Sequence, residues 1–402
     1  MPAGGLTEDE QAAPPRRRPV ALQALVHAAL VDYPRYLDPE TGRRCAPERL
    51  VEWMALQRRM RERFPAAVQA IGFSRWKKPI VRAFLAGSEV TFQRRAAAAA
   101  ALPGGCVAVW GGRRVAGQAG DGAAWLRLED GFLRSVGLGA DLVRPLSWVV
   151  DGEGLYYDAT RPSALERLLQ HQSFDAALCR RAAALRERLV QAGLSKYNVG
   201  HGRWRRPAGA TVVLVAGQVE ADASIALGAG AVRTNLALLQ EARRAHPAAH
   251  LVYKPHPDVV AGLRAGGASE RELLRCCDEV VRDVPIVQLL DQVDEVHVIT
   301  SLAGFEALLR QRRVVVHGLP FYAGWGLTED RMTTPRRSRR LGLDELVAGT
   351  LLLYPTYVSR RTGHFTTAER ALDELLQWRA EGAGRAPWRT RLLRPLLRRL
   401  TA

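Results

Sequence analysis

The chain has 402 residues, 47% of them hydrophobic and 25% charged, enough for two nucleotide-fold domains with extensions and a substantial core. A net charge of +17 points to attraction toward polyanions or an anionic membrane surface, and says nothing about fold. The five cysteines (Cys45, Cys106, Cys179, Cys276, Cys277) have neither C-x-x-C nor other metal spacing, which suits reduced thiols better than a disulfide framework.

In chain order, residues 5–49 align without a gap to residues 326–370 and are identical at 19 of 45 positions. The matches include Gly5-Leu6-Thr7-Glu8-Asp9 with Gly326-Leu327-Thr328-Glu329-Asp330, and Tyr33-Pro34-x-Tyr36 with Tyr354-Pro355-x-Tyr357. Turn residues and aromatics recur along with helix-forming leucines, so the repeat reads as a duplicated module. Residues 1–49 are therefore expected to be the remnant of a preceding tandem module. A basic helix follows from Glu48, then strands at Val68–Phe73, Glu89–Phe92 and Cys106–Trp110. An alanine-rich helix is expected to run to Ala101. Trp125 to Ser135 alternates as a strand that brings Glu129 and Asp130 to its carboxyl end. Pro145 to Tyr157 reads as further strand with a turn at Asp151-Gly152. Two helices then lead to a glycine- and arginine-rich linker over Lys196–Pro207.

The following segment alternates strand and helix from Thr211 onward, a doubly wound pattern with ligands expected outside the strand ends. Its centre is Glu295 to Asp330. Strand Glu295–Thr300, helix Ala303–Leu309 with Ser301 at its N-cap, and strand Val314–His317 form a βαβ unit. A helix N-terminus facing the crevice favours an anion. Glu306, within the first two turns, suits ribose hydroxyls beside a phosphate, so the unit reads as half of a nucleotide-sugar site. Expected domains are 50–200, 205–353, and closing helices with a basic tail over 354–402.

Five motifs occur in order: Glu129-Asp130-Gly131-Phe132-Leu133-Arg134-Ser135-Val136-Gly137-Leu138-Gly139, Gly217-Gln218-Val219-Glu220-x-Asp222-x-Ser224-Ile225, Lys254-Pro255-His256-Pro257, Thr300-Ser301-x-x-Gly304-Phe305-Glu306, and Pro320-Phe321-Tyr322-Ala323-Gly324-Trp325-Gly326. Together they resemble capsular polysaccharide synthesis proteins of KpsC type, retaining β-Kdo glycosyltransferases that use CMP-Kdo and often carry two modules in tandem. The resemblance implies an α/β, glycosyltransferase-B-like architecture of two Rossmann-like domains. It also implies transfer of Kdo to a lipid-linked acceptor in capsule assembly at the inner membrane, from a cytoplasmic, peripheral position and beside other capsule assembly proteins.

In that setting Lys254, His256 and Ser301 are the expected phosphate site, with His256 donating to the leaving phosphate. Glu306 is the expected ribose partner, and Gln218 and Ser224 are expected to line the nucleotide crevice. Glu220 and Asp222 read equally as loop caps. Asp130-Gly131 could be only a turn, but double displacement needs a carboxylate nucleophile and a separate acid/base, and here Asp130 is the expected nucleophile and Glu129 a supporting or acid/base group. Arg134 is a candidate clamp for the Kdo carboxylate. Phe321, Tyr322 and Trp325 read either as stacking groups or as buried loop aromatics. No histidine/carboxylate group has metal spacing in sequence, so no metal or other cofactor is expected. Residues 388–400 combine a leucine stripe with five arginines, a pattern for lying on an anionic membrane. The rivals are another CMP-sugar transferase of sialyltransferase-like type, a silent scaffold, and a nucleic-acid binder drawn from Arg336-Arg337 and Arg339-Arg340. The last lacks interleaved aromatics or a reader motif, so no nucleic acid is expected as a partner.

Overall fold

The computed structural model describes residues 20–94, 106–113, 124–135, 144–195, 200–262, 264 and 267–381. The chain divides into two compact units, Met1–Arg59 and Met60–Ala402. The membrane-seeking pattern at 388–400, the end of the alanine-rich helix and residues 136–139 of the first motif lie outside the described residues. Among the described residues no helix is long and apolar enough to cross a membrane.

In the first unit a helix at Leu22–His27 continues into a wider π-type turn at Ala28–Asp32. A two-residue hairpin follows, β1 (Tyr36–Leu37) paired with β2 (Arg44–Cys45), and then a helix from Pro47. The Tyr36 hydroxyl donates to the Leu30 carbonyl at 2.8 Å. Gly42 takes φ 69°, which the tight turn requires and a side chain would resist.

The second unit holds two sheets. The first takes strands β3 (Ala67–Ile71), β4 (Glu89–Gln93), β5 (Cys106–Trp110), β6 (Ala124–Asp130) and β7 (Ser147–Asp151). The second takes β8 (Val212–Ala216), β9 (His250–Lys254), β10 (Glu279–Val280), β11 (Glu295–Val298), β12 (Arg313–Val316) and β13 (Glu329–Asp330). The chain then returns to the first sheet as β14 (Thr356–Val358) and β15 (Phe365–Thr366).

The second sheet runs β10-β9-β8-β11-β12-β13, wholly parallel, so the strand order reverses between β8 and β11. Strands covered on both faces read as continuous apolar runs, and Val212–Ala216 is buried throughout. The first sheet runs β15-β14-β7-β6-β5-β3-β4, parallel from β4 to β6 and antiparallel from β6 to β15. Beyond the expected turn at Asp151-Gly152 the strand does not resume to Tyr157, and β7 ends at Asp151. Its buried carboxylate accepts from the Glu153, Gly154 and Ala164 amides at 2.8, 3.0 and 2.9 Å and from the Tyr354 hydroxyl at 2.8 Å. Those bonds turn the chain into a loop that ends in Tyr156-Tyr157.

The segment Leu343–Thr366 repeats the element order and several of the bonds of the first unit. A helix at Leu343–Val347 runs into a π-type turn at Ala348–Leu353, Tyr357 donates to the Leu351 carbonyl at 2.7 Å, and Gly363 takes φ 74°. Burial differs. Leu346, Leu351 and Tyr354 are 0%, 1% and 2% exposed, whereas Leu25, Leu30 and Tyr33, at the matching positions, are 59%, 56% and 88% exposed.

Candidate functional site

A crevice of about 480 Å³ opens at the carboxyl ends of β6, β8, β9 and β11. This is the strand-order switch of the second sheet, where a parallel α/β sheet leaves room for a ligand. Glu129, Asp130, Gln218, Ser224, Lys254, His256, Ser301 and Glu306 all line it. Arg134 does not line it.

Asp130 ends β6, and Gly131 follows because a Cβ there would stand 2.4 Å from the Ser147 hydroxyl. That close turn brings the Arg134 Nε to 2.6 Å from Asp130 Oδ2, while Arg134 Nη1 donates to Ser135 Oγ at 2.9 Å. Arg134 is buried, so its guanidinium orients Asp130 from behind and does not reach for a ligand. The expectation of a clamp on a sugar carboxylate does not fit that placement. Glu129 receives the Tyr157 hydroxyl at 3.4 Å and its own neighbour's amide, Asp130 N, at 3.0 Å. Burial first, and then the Glu129 charge, push the Tyr157 hydroxyl pKa well up, so it stays a donor.

On the opposite wall Lys254 ends β9 and donates to the Arg282 carbonyl. Burial lowers its ammonium pKa to about 8. His256 caps a short helix at Pro257–Val260, and its Nδ1 accepts from the Asp258 amide at 3.1 Å. A neutral His256 ring therefore carries its proton on Nε2. Ser301 caps the helix Leu302–Leu309, accepting from Ala303 N at 3.3 Å. Glu306 is buried on the same helix.

Gln218 behaves differently from a nucleotide contact. Its side chain donates to Ser224 Oγ at 2.9 Å and to Thr300 Oγ1 at 2.8 Å, and accepts from Thr300 N at 3.2 Å. It braces the loop after β8 against the loop after β11. Ser224 also donates to Asp222 Oδ1 at 2.8 Å. Asp222 is the N-cap of the helix Ala223–Gly228, and Glu220 accepts from Asn235 N at 2.8 Å, so both acids cap local structure.

Phe321 lines the crevice, but Tyr322 and Trp325 are wholly buried. Phe321 packs 4.9 Å from Phe132 and 5.3 Å from Phe305 between ring centroids, joining the two sheets beneath the crevice. Gly304 permits this packing, since a Cβ there would lie 2.3 Å from the Tyr322 hydroxyl. The arginine run is structural too. Arg336 and Arg337 pair with Glu166 at 2.6 and 2.8 Å, and Arg337 also holds the Pro320 and Ala323 carbonyls at 2.6 and 2.9 Å.

Sequence reasoning missed Tyr156 and Tyr157, hidden in what read as strand, and Arg264 and Thr300, which also line the crevice. It also missed Lys77, whose Nζ lies 3.3 Å from the Trp110 ring centroid. Burial lowers the Lys77 pKa, with the Asp130 and Glu129 charges pulling the other way. The one signal for it was Trp76-Lys77-Lys78 after a strand end. Among the described residues one His/Glu group has metal-ligand proximity, His246, Glu295 and His297, and none of the three lines the crevice.

Two Rossmann-like sheets with a crevice at the strand ends between them define a two-domain glycosyltransferase fold. Solved structures agree. The β-Kdo 2,7 transferase of Thermosulfurimonas dismutans KpsC matches with 38% identity and a TM-score of 0.66, over 78% of this chain and 99% of that one. The β-Kdo 2,4 transferase of the same protein matches with 32% identity and a TM-score of 0.68, over the same shares. The family model for capsule polysaccharide biosynthesis proteins matches residues 106–203 and 182–359. The chain belongs to that family. The capsule polysaccharide modification protein LipA of Neisseria meningitidis is 40% identical over 373 residues, 90% of this chain and 53% of that protein. The lipopolysaccharide-processing protein LpsZ of Rhizobium meliloti is 46% identical over 254 residues, 62% of this chain and 58% of that protein. The chain thus spans between half and three-fifths of these curated relatives' length.

Proposed function

We propose that the chain is a retaining β-Kdo transferase module that moves Kdo from CMP-Kdo to a lipid-linked acceptor in capsule assembly. The observation that carries this reading is the meeting, in one crevice, of the Glu129-Asp130 pair with Lys254, His256, the Ser301 helix end and Glu306. Both Kdo transferase structures similar to this chain support it.

In this reading the CMP phosphate lies between Lys254, the Ser301 helix N-terminus and the Nε2–H of His256, with Glu306 on the ribose. Asp130, aimed by Arg134, attacks the anomeric carbon as its bond to the phosphate oxygen breaks and CMP leaves. The acceptor hydroxyl then attacks the glycosyl–Asp130 bond from the vacated side, giving its proton to Glu129 and freeing the Asp130 carboxylate. Lys77, whose ammonium feels the charge of both acids, is a further cation on that side for a carboxylate-bearing sugar. The positive wall stabilises the departing phosphate, so no metal enters this scheme.

The test is direct. The purified chain is incubated with CMP-Kdo and synthetic Kdo-bearing acceptors, and the products are read by NMR. A β-linked Kdo product is expected. Transfer from CMP-sialic acid in place of CMP-Kdo, or release of free Kdo with every acceptor tried, would overturn the reading.

A further inference from the structure

A second group of titratable residues sits in the second sheet, away from the crevice. Glu295 and His297, two apart on β11, project to one face. The helix Asn235–Ala245 packs against β8, β9 and β11, and His246 caps its carboxyl end. Glu295 Oε1 lies 2.7 Å from His246 Nε2 and 2.7 Å from His297 Nε2. The three atoms fall within 4.8 Å of one another. Arg313 Nη1 stands 3.0 Å from the other carboxylate oxygen, Glu295 Oε2. His297 Nδ1 stands 3.2 Å from His317 Nε2. Glu295 and His297 are buried, whereas the His246 ring is 24% exposed. A cavity of about 450 Å³ reaches His297 and His317 past Ala245 and Arg244.

Two arrangements of protons satisfy this geometry. In one, both imidazoles donate Nε2–H to Glu295 Oε1. In the other, each neutral ring carries its proton on Nδ1, and two Nε2 lone pairs and a carboxylate oxygen converge on one point. The second arrangement is the one that can take up a metal ion. His297 Nδ1–H then has His317 Nε2 as acceptor, the outer hydrogen bond that orients a metal-bound histidine. Arg313 occupies Oε2 and leaves Oε1 as a single oxygen ligand. With metal–ligand distances of about 2.0–2.2 Å, tetrahedral ligand atoms stand about 3.4 Å apart, so the 2.7 Å separations would widen by roughly 0.7 Å on binding.

We propose that His246 Nε2, Glu295 Oε1 and His297 Nε2 bind a divalent transition-metal ion of the zinc type. Two imidazoles select such an ion over magnesium or calcium. The ion pins the carboxyl end of the helix Asn235–Ala245 to β11. It stands apart from the transfer scheme proposed above.

The whole chain is stripped with a chelator, dialysed, and titrated with Zn²⁺ by calorimetry and with Co²⁺ by visible absorption. One equivalent is expected to bind with micromolar or tighter affinity, to give the absorption of nitrogen-ligated Co²⁺, and to raise the melting temperature. Losing an outer partner of a metal ligand costs roughly 10–100-fold in affinity, so His246→Ala should weaken binding at least about tenfold. His246→Ala also takes a 2.7 Å partner from the buried Glu295 carboxylate, so its metal-free melting temperature is measured separately and a drop there is not read as metal loss. His250→Ala, which alters a histidine outside the group, should bind as the wild type does. Absence of saturable binding in the wild type, or equal affinity in His246→Ala and Glu295→Gln, would show a purely hydrogen-bonded group and overturn the proposal.

Discussion

At the scale of single residues, two charges decide the crevice. Asp130 is 22% exposed at its side chain and Arg134 5%, so their 2.6 Å contact is an ion pair with one buried partner. Asp130→Asn removes the proposed nucleophile and leaves that guanidinium without its counter-charge. Transfer should fall by about 10³-fold or more, with a loss of about 1–3 kcal/mol in denaturant unfolding. A variant that transfers at the wild-type rate would remove Asp130 from the mechanism. Lys254 gives a pH signature with two opposite signs. Its folded-state pKa of about 8 lies below the ordinary 10.5. The unfolded chain therefore holds the extra proton between those values, and this group makes stability rise with pH across that window. The proposed phosphate contact needs the cation, so CMP affinity should be full below about pH 7, begin to fall near pH 8 and drop several-fold by about pH 9.5. Calorimetry on the wild type and on Lys254→Met checks this, since the variant should bind weakly with little change across the same range.

At the scale of elements, the repeated helix, π-type turn and hairpin form a natural control for burial. Leu346→Ala opens a cavity in a packed core and should cost about 2–5 kcal/mol. Leu25→Ala changes the matching residue on an exposed surface and should stay within about 0.5 kcal/mol. Equal losses in thermal unfolding would mean that the first unit's apolar face is covered in solution. Sequence was informative where the physics is local. Apolar runs such as Val212–Ala216, the Ser301 cap and the residues at strand ends announce themselves within a few positions. It was silent where a partner lies far along the chain. Asp151 ends a strand through bonds completed by Tyr354, Gln218 braces Thr300, and His246 meets Glu295, none of which spacing can suggest. Arg134 was misread for a subtler reason. The turn that Gly131 permits folds the guanidinium back on Asp130, and alternation along a strand cannot foresee that.

At the scale of the whole molecule, some of the arginines serve the fold and not a partner. Arg134, Arg336 and Arg337 are committed to carboxylates within the fold, pairs that leave the net charge of +17 unchanged but take those guanidinium groups out of reach of a polyanion. The return of the chain to the first sheet has a further consequence for taking the protein apart. Because Thr356–Val358 pairs with β7 and Tyr354 completes the bonds of Asp151, the second domain is an insertion within the first, entered and left by separate crossings. A fragment ending near residue 205 would carry β7 as an unpaired edge and a buried aspartate short of one donor. The second domain, by contrast, begins and ends at the same neighbour. Exchanging it for that of a relative is therefore a two-cut operation, like replacing a cassette, and a single crossover between the domains should yield a protein that fails to fold on both sides of the join.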